Sequence, residues 1–540
     1  MPLVQKAVSA AQEAPEASLV LLGLALLMPL AYRAYAHPLA HIPGPLLARI
    51  TPLWLYTICY LGIECRVITY YHRKLNTSIL RVAPHSISIS DGAAIQTIYV
   101  AGGGLPKDVR YSNFDLGPIK TIFSSLDPKY RDARAKAVLP LFAPNRIRAA
   151  SIAGSSGTIA RSIDEFIALF RRKREEAKER PVDILDLSAR LSIDVVSGFL
   201  FHKKWGGLAE PPEASAKTGS HAGKLSITPF ILSIVAFSRF SLLPQHLFTL
   251  LFNLSQWWSA TPAMNASAVR VDEFVNKLVE EATNENHSSL AVTAKKEQEA
   301  GINETYQSRL LAAGISPGET AAQCTAVLFA GTDSTALMLA TILFHLVQNQ
   351  DVLLRLKEEA KESNSDSATT DLQTLPCLRA VVREGLRLGM ANPARFTRVV
   401  PPGSAGLDVA GVHIPPGTTV GVAPYTLHHD PERFPEPFAF RPERWLNSRK
   451  AELADLRDAA AAGGVPADYW DRGRDTIIPF GVGPRTCLAR NLATYQLYAT
   501  VKSVAESGVL EGASTCDDRI RLIEWFNAEI EGHKLEIKWR

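Results

Sequence analysis

The sequence predicts a mainly α-helical protein with a small β-sheet region, carried behind an N-terminal transmembrane helix. Three observations point there. Apolar residues recur at helical spacing through 185–201 and through the long run 319–347. Short runs of strand-forming residues gather in only two places, around Pro84 and within 398–422. Residues 17–32 (ASLVLLGLALLMPLAY) carry no charge at all. The chain has 540 residues, 46% of them hydrophobic and 21% charged, which excludes a disordered or collagen-like protein. No internal repeat or Gly/Ser linker divides it. The organisation expected is an anchor at 1–36, a Pro-rich hinge at 37–45 and one large domain at 46–540.

A spanning helix needs about 20 apolar residues, and 34–36 extend the run past Arg33, whose side chain is expected to snorkel to the interface. The rival is a cleaved signal peptide, since Ala34-Tyr35-Ala36 looks like a cleavage site. Against it, the leading segment is poor in cations, Lys6 being offset by Glu13 and Glu16. Arg33 and Arg49 favour a cytosolic C-terminal side. The sequons at Asn76, Asn253, Asn265, Asn286 and Asn303 would then stay unmodified. In the hinge, Pro38, Pro43 and Pro45 fix φ and stop the helix. Strands are expected at 79–82 and 87–89, and helices dominate from Lys129 onward. Polar breaks at 209–219, 284–303 and 362–371 read as surface loops. The apolar stretch 230–258 contains Arg239 and Pro244, so it reads as helices that line a pocket or dip into a membrane surface.

A net charge of +4 is too mild to imply nucleic acid. Arg171-Arg172-Lys173-Arg174 is followed by Glu175 and Glu176, a solvated helix face. Six scattered cysteines make no disulfide framework. Cys59, Cys65, Cys324, Cys377 and Cys516 are expected to be reduced packing residues, and only Cys487 has a motif around it.

That motif is Phe480-Gly481-Val482-Gly483-Pro484-Arg485-Thr486-Cys487. Its glycines let the backbone approach a flat cofactor, and backbone N–H groups around the sulfur would stabilise a thiolate. Zinc would want further Cys or His ligands nearby, whereas the nearest upstream histidines are the distant His428 and His429. A dinucleotide turn would need a third glycine. A second motif, Glu384-Gly385-Leu386-Arg387, puts an acid and a base on one helix face, with Phe440-Arg441-Pro442-Glu443-Arg444-Trp445 downstream. A third, Ala330-Gly331-Thr332-Asp333-Ser334-Thr335, places an acid beside an alcohol in mid-helix.

Together these resemble the cytochrome P-450 family over nearly the whole chain after the anchor. The resemblance implies the cytochrome P-450 fold and haem b (iron protoporphyrin IX), with Cys487 as its thiolate ligand. It implies cofactor contacts from Phe480, Gly481, Gly483 and Arg485, and a second propionate partner in Arg395. In the helix 127–141 the family's haem-contacting cation falls on Ala135, leaving Arg134 or Lys136 as its replacement, with Arg134 taken as the candidate. Glu384, Arg387 and Arg444 would form a structural triad. Asp333 and Ser334 would relay protons to dioxygen, with small residues such as Gly331 leaving room for it. Two departures stand out: Ala489 where the family usually has glycine, and Ser334 where it usually has threonine.

The function this implies is monooxygenation of an apolar small molecule, in the manner of fungal microsomal members that tailor secondary metabolites. Electrons would come from NADPH-cytochrome P-450 reductase, with cytochrome b5 as a further donor, docking on Arg131, Arg134, Lys136 and Arg490. The place would be the endoplasmic reticulum membrane, single-pass, with the catalytic domain in the cytosol. Candidate pocket residues are Phe123, Leu126, Phe329, Ala394 and Phe526. The alternatives are a haem-thiolate isomerase or dehydratase needing no external electrons, and a non-catalytic haem carrier. The intact Asp333-Ser334 pair speaks against both.

Overall fold

Ser316 starts the helix around which the chain folds. Its side chain accepts from the Glu319 N–H, and Pro317 occupies a first-turn position that needs no amide donor. The helix Pro317–Gln348 then runs for 32 residues, roughly 48 Å at 1.5 Å per residue. It is long and apolar enough to cross a membrane, yet most of it is buried in protein, as in a core helix. The structure, a computed structural model, describes residues 27–152, 157–211, 223–259, 261–289, 304–363, 371–446 and 477–539.

Helices Ile184–Phe201, Pro262–Ser289, Tyr306–Ala312, Pro376–Leu388 and Arg490–Ser507 pack on the central helix. Two glycines set how closely. A Cβ on Gly331 would lie 2.6 Å from Val196 Cγ2, and one on Gly385 would lie 2.1 Å from Ile342 Cγ1. Gly331 therefore lets Ile184–Phe201 approach; its missing side chain is filled by Val196 rather than left open for dioxygen.

The expected strands form. Ser86–Ile89 pairs antiparallel with Ile79–Ala83 and parallel with Thr419–Val422, which in turn takes Arg398–Val399 on its far edge. A separate hairpin joins Leu407–Val409 to Val412–Ile414. Near the C-terminus, Glu536–Trp539 bridges Val182–Asp183 and Ala513–Thr515, and Leu522–Ile523 pairs with Glu529–Ile530. The molecule is thus mostly helical with small sheets. The polar break at 284–303 begins later than its composition suggested, because helix Pro262–Ser289 runs through its first residues. Polarity there does not mark a helix end. Cys59, Cys65 and Cys324 are buried and Cys377 is half-buried, but Cys516 is exposed beside the edge strand Ala513–Thr515.

Residues 1–26, most of the expected anchor, lie outside the described residues. The hinge that follows is docked on the sheet. Fully buried Arg81 donates to the carbonyls of Arg33 (2.9 Å) and Pro84 (2.9 Å), and its own N–H donates to Pro43 (2.8 Å). Arg33, expected to snorkel, instead donates to the Ile50 carbonyl at 3.1 Å. The stretch 230–258 forms helices Thr228–Phe237 and Gln245–Ser259, broken at Pro244.

Gly385→Ala should cost about 1–3 kcal/mol, the range for overpacking a filled core, and Ile342→Ala in the same chain should recover part of it. Chemical denaturation of the single and double variants checks this.

Candidate active site

The cysteine loop is held from three directions. The Cys487 N–H donates to Phe480 O at 2.9 Å, and Thr486 Oγ1 donates to the carbonyls of Phe480 and Gly481 at 3.2 Å each. Gly481 and Gly483 take φ of 66° and 70°, and a Cβ on Gly483 would fall 2.0 Å from the Tyr99 carbonyl. No L side chain fits there. Ile478 N–H donates to His428 Nε2 at 2.9 Å, while His428 Nδ1 faces Arg387 O at 3.1 Å. Burial pushes His428 down to about 3, so it is neutral, donating through Nδ1 and accepting through Nε2. It ties the loop to the Glu384 helix.

Cys487 keeps free surface although protein surrounds it, so its thiol faces an internal opening. Burial raises the thiol above its ordinary value, while the N–H groups of Ala489 and Arg490 and the Arg490 charge pull it back. Ala489 sits at the start of helix Arg490–Ser507, and its methyl packs on the core.

Glu384 and Arg387 are completely buried. Arg387 donates to Glu384 through Nε (2.9 Å) and Nη2 (2.8 Å); Arg444 Nε (3.1 Å), Trp445 Nε1 (2.8 Å) and the Arg441 N–H (2.9 Å) complete the carboxylate's shell. Arg387 also donates to the carbonyls of His428, Pro437 and Ala439. The three residues of the sequence triad therefore meet.

The cations meet less as expected. Lys107, Arg131, Arg398 and Arg485 converge closely enough for their charges to bear on Lys107 and Arg485. Lys107 lies well below the usual lysine range, first through burial and then through Arg398, Arg485 and Arg131. Burial and the same neighbours lower Arg485, whose Nη1 donates to Ser125 O at 3.2 Å. Among the described residues neither Lys107, Arg398 nor Arg485 has a carboxylate partner in an ion pair. Arg395 is elsewhere: it is buried against Glu64 at 3.2 Å and Ser86 Oγ at 3.0 Å. Arg134 is also diverted, forming a two-point ion pair with Glu319 at the start of the central helix. Arg395 thus pairs with an internal carboxylate while its Nη2 stays buried with no hydrogen-bond partner among the described residues, and Arg134 pairs with Glu319.

On the central helix, Ala330 and Ser334 lie four apart and keep free surface, whereas Thr332 and Thr335 are buried. The open face of the helix is therefore the one carrying Ser334, whose hydroxyl donates to Ala330 O at 2.5 Å. Asp333 turns to a different side. Its carboxyl is pushed up to about 7, first by burial and then by the charge of Glu529.

Comparison with known proteins decides the family. The cytochrome P-450 family model matches residues 78–504. The chain is 50% identical over 536 residues to the cytochrome P-450 monooxygenase mfmF of Annulohypoxylon moriforme, covering 97% of this chain and 99% of that one. This chain belongs to the cytochrome P-450 family. It is also 28% identical to the cytochrome P-450 monooxygenase pbrB of Penicillium brasilianum, over 88% and 87% of the two chains. To the averantin hydroxylase of Dothistroma septosporum it is 27% identical, over 86% and 78%. It is a cytochrome P-450 monooxygenase, and the family implies a haem-thiolate cofactor.

The residues present fit that cofactor. Three cations without acidic partners suit a group bearing two carboxylates, and a thiol facing an internal opening suits an iron ligand. Sequence reasoning about this cytochrome P-450 missed Lys107, Arg398 and the linking His428. In the sequence Arg398 shares an extended run with Arg395, and His428 offers no signal beyond a distant metal ligand. Of the expected docking cations, Lys136 and Arg490 are exposed, while Arg134 is consumed by Glu319. Among the candidate pocket residues, Phe123 and Phe526 join Tyr111 and Phe114 in an aromatic cluster, with Phe114 and Phe526 4.8 Å apart. Ala394 is only 1% exposed and is a core residue.

Glu384→Ala should destabilise the protein by about 3–5 kcal/mol, because it leaves the Arg387 charge buried without its partner. The yield of folded protein and its denaturation midpoint report this; an unchanged midpoint would remove the triad from the list of structural supports.

Proposed function

We propose that this protein is a membrane-held haem-thiolate monooxygenase that inserts one oxygen atom of dioxygen into an apolar small molecule of secondary metabolism. Cys487 is the iron ligand, and electrons come from a separate NADPH-cytochrome P-450 reductase, with cytochrome b5 as a further donor. The observation that carries the reading is the pairing of a surrounded but open thiol with three cations, Lys107, Arg398 and Arg485, that form no ion pair among the described residues. Arg485, Arg398 and Lys107 would take the propionates of haem b, while Phe480, Gly481 and Gly483 shape the loop beneath the ring. The bound haem supplies dioxygen activation, which thiolate donation favours. Asp333 holds a proton near neutral pH and Ser334 presents its hydroxyl on the open face of the central helix, an arrangement suited to proton delivery. The aromatic cluster of Tyr111, Phe114, Phe123 and Phe526 supports an apolar substrate. An isomerase or a haem carrier would have no use for the Asp333-Ser334 pair; NADPH consumption with reductase separates the three.

The chain organisation proposed is an anchor at 1–36, a hinge at 37–45 and the catalytic domain at 46–540, on the cytosolic face of the endoplasmic reticulum. Exposed apolar residues support a second membrane contact. Leu46, Leu47, Leu53 and Leu61 are exposed near the hinge, and Leu250 and Leu254 on helix Gln245–Ser259. Tyr60 and Phe240, 5.5 Å apart, bring these two surfaces together.

Cys487→Ser should abolish the thiolate-type carbon monoxide spectrum of the reduced protein, and Arg398→Leu should weaken haem retention more than Arg134→Leu. A thiolate spectrum in Cys487→Ser would assign the ligand elsewhere. Deleting residues 1–36 should release only part of the protein from microsomes. Adding Leu250→Ser and Leu254→Ser should release the rest, as a fractionation blot would read directly.

A further inference from the structure

The central helix borders a cavity walled by helices Ile184–Phe201 and Thr228–Phe237 and by the C-terminal hairpin. Asp333 lines one side, and Glu529 and His533 line the other. His533 is at the surface, its side chain about one-third exposed, with Nδ1 2.8 Å from Glu529 Oε1. Glu529 is only 6% exposed, and its other oxygen, Oε2, is buried with no hydrogen-bond partner among the described residues. Such an oxygen is costly unless something in the cavity serves it.

The remaining charged groups of this cavity are already engaged. Asp186 accepts from Arg190 Nε at 2.6 Å through one oxygen and from the Leu225 N–H at 2.8 Å through the other. The Lys224 ammonium bonds the His533 carbonyl and lies 3.7 Å from Asp183. Asp333, Glu529 and His533 are what the cavity has left for proton exchange, and they run from the core to the surface.

We infer that Glu529 and His533 form the inlet through which solvent protons reach Asp333. The inference rests on the reading of Asp333 as the relay acid. A proton passes from the His533 imidazolium to the Glu529 carboxylate, and through cavity water to the Asp333 carboxylate, which serves Ser334. Solvent then reprotonates His533. No electrons move and no other bond changes. Glu529 and His533 act through Asp333 and are positioning residues.

The test uses the full-length holoenzyme with reductase and NADPH, no added substrate, and dioxygen as the probe. Dioxygen consumption is followed over about pH 6 to 9 in H2O and D2O, and the infrared carboxylic-acid band of the resting protein is titrated alongside. D333N should remove that band and slow consumption by at least ~10-fold, in line with the worth of a placed acid. E529Q should slow consumption with an enlarged solvent isotope effect, and should lower the midpoint of the Asp333 band by removing the neighbouring charge. H533Q should slow consumption more weakly, with a smaller rise in the isotope effect, and E529D should recover part of the rate. D333N slow with E529Q and H533Q at parental rates would overturn the inlet and leave the relay acid standing. D333N at the parental rate would overturn the relay reading and the inlet with it. If E529Q fails to load haem, H533Q decides: a parental rate and isotope effect count against the inlet.

Discussion

The carboxylate of Glu384 is the point on which the haem side of this protein depends. Five donors converge on its two oxygens, from Arg387, Arg441, Arg444 and Trp445. A carboxylate taken fully out of water is tolerable only with such a shell. The pair also does more than neutralise itself. Arg387 spends its remaining donors on carbonyls of the segment 428–439, and His428 carries that order to Ile478, at the root of the cysteine loop. Neutral His428 is suited to this because it bonds in both directions at once without bringing a charge beside the loop. The position of the thiol is thus inherited from an ion pair on another helix.

The cation cluster works in the opposite sense. Lys107, Arg398 and Arg485 are held together by the fold although burial and the neighbouring cations weaken the charged forms of Lys107 and Arg485. Tyr99 helps to hold them: Arg398 stacks over its ring at 5.0 Å, its hydroxyl bonds Phe396 O and the Val422 N–H, and its carbonyl abuts Gly483. A dianionic ligand would relieve that repulsion and stabilise the folded chain by mass action. Glu384 is a satisfied site; the cation cluster is one suited to a dianionic ligand.

Much of this was legible in the sequence because it is written in local pattern. The long helix, the two sheet regions, the Cys487 loop and the Glu384-Arg387 pair each follow from spacing within a few residues, and they fold as read. What escaped depends on distant partners. Arg395 and Arg398 are three apart in extended chain, an odd separation that turns them to opposite faces, so one meets Glu64 and the other meets Lys107. Arg134 is taken by Glu319, 185 residues away. Gly331 looked like space for a ligand and is the seat of Val196, since a glycine in sequence does not say what fills the gap. Cys516 looked like the other spare cysteines but closes an exposed edge.

Arg81 holds the segment 33–43 by a device with an evolutionary consequence. Every bond it makes to that segment is to main-chain carbonyl oxygen: Arg33 and Leu39 through the guanidinium, and Pro43 through its own amide. Carbonyls are common to all residues, so the segment can change most of its side chains without changing its angle. The angle of the segment is thereby set by one arginine in the sheet, whatever side chains the segment itself carries.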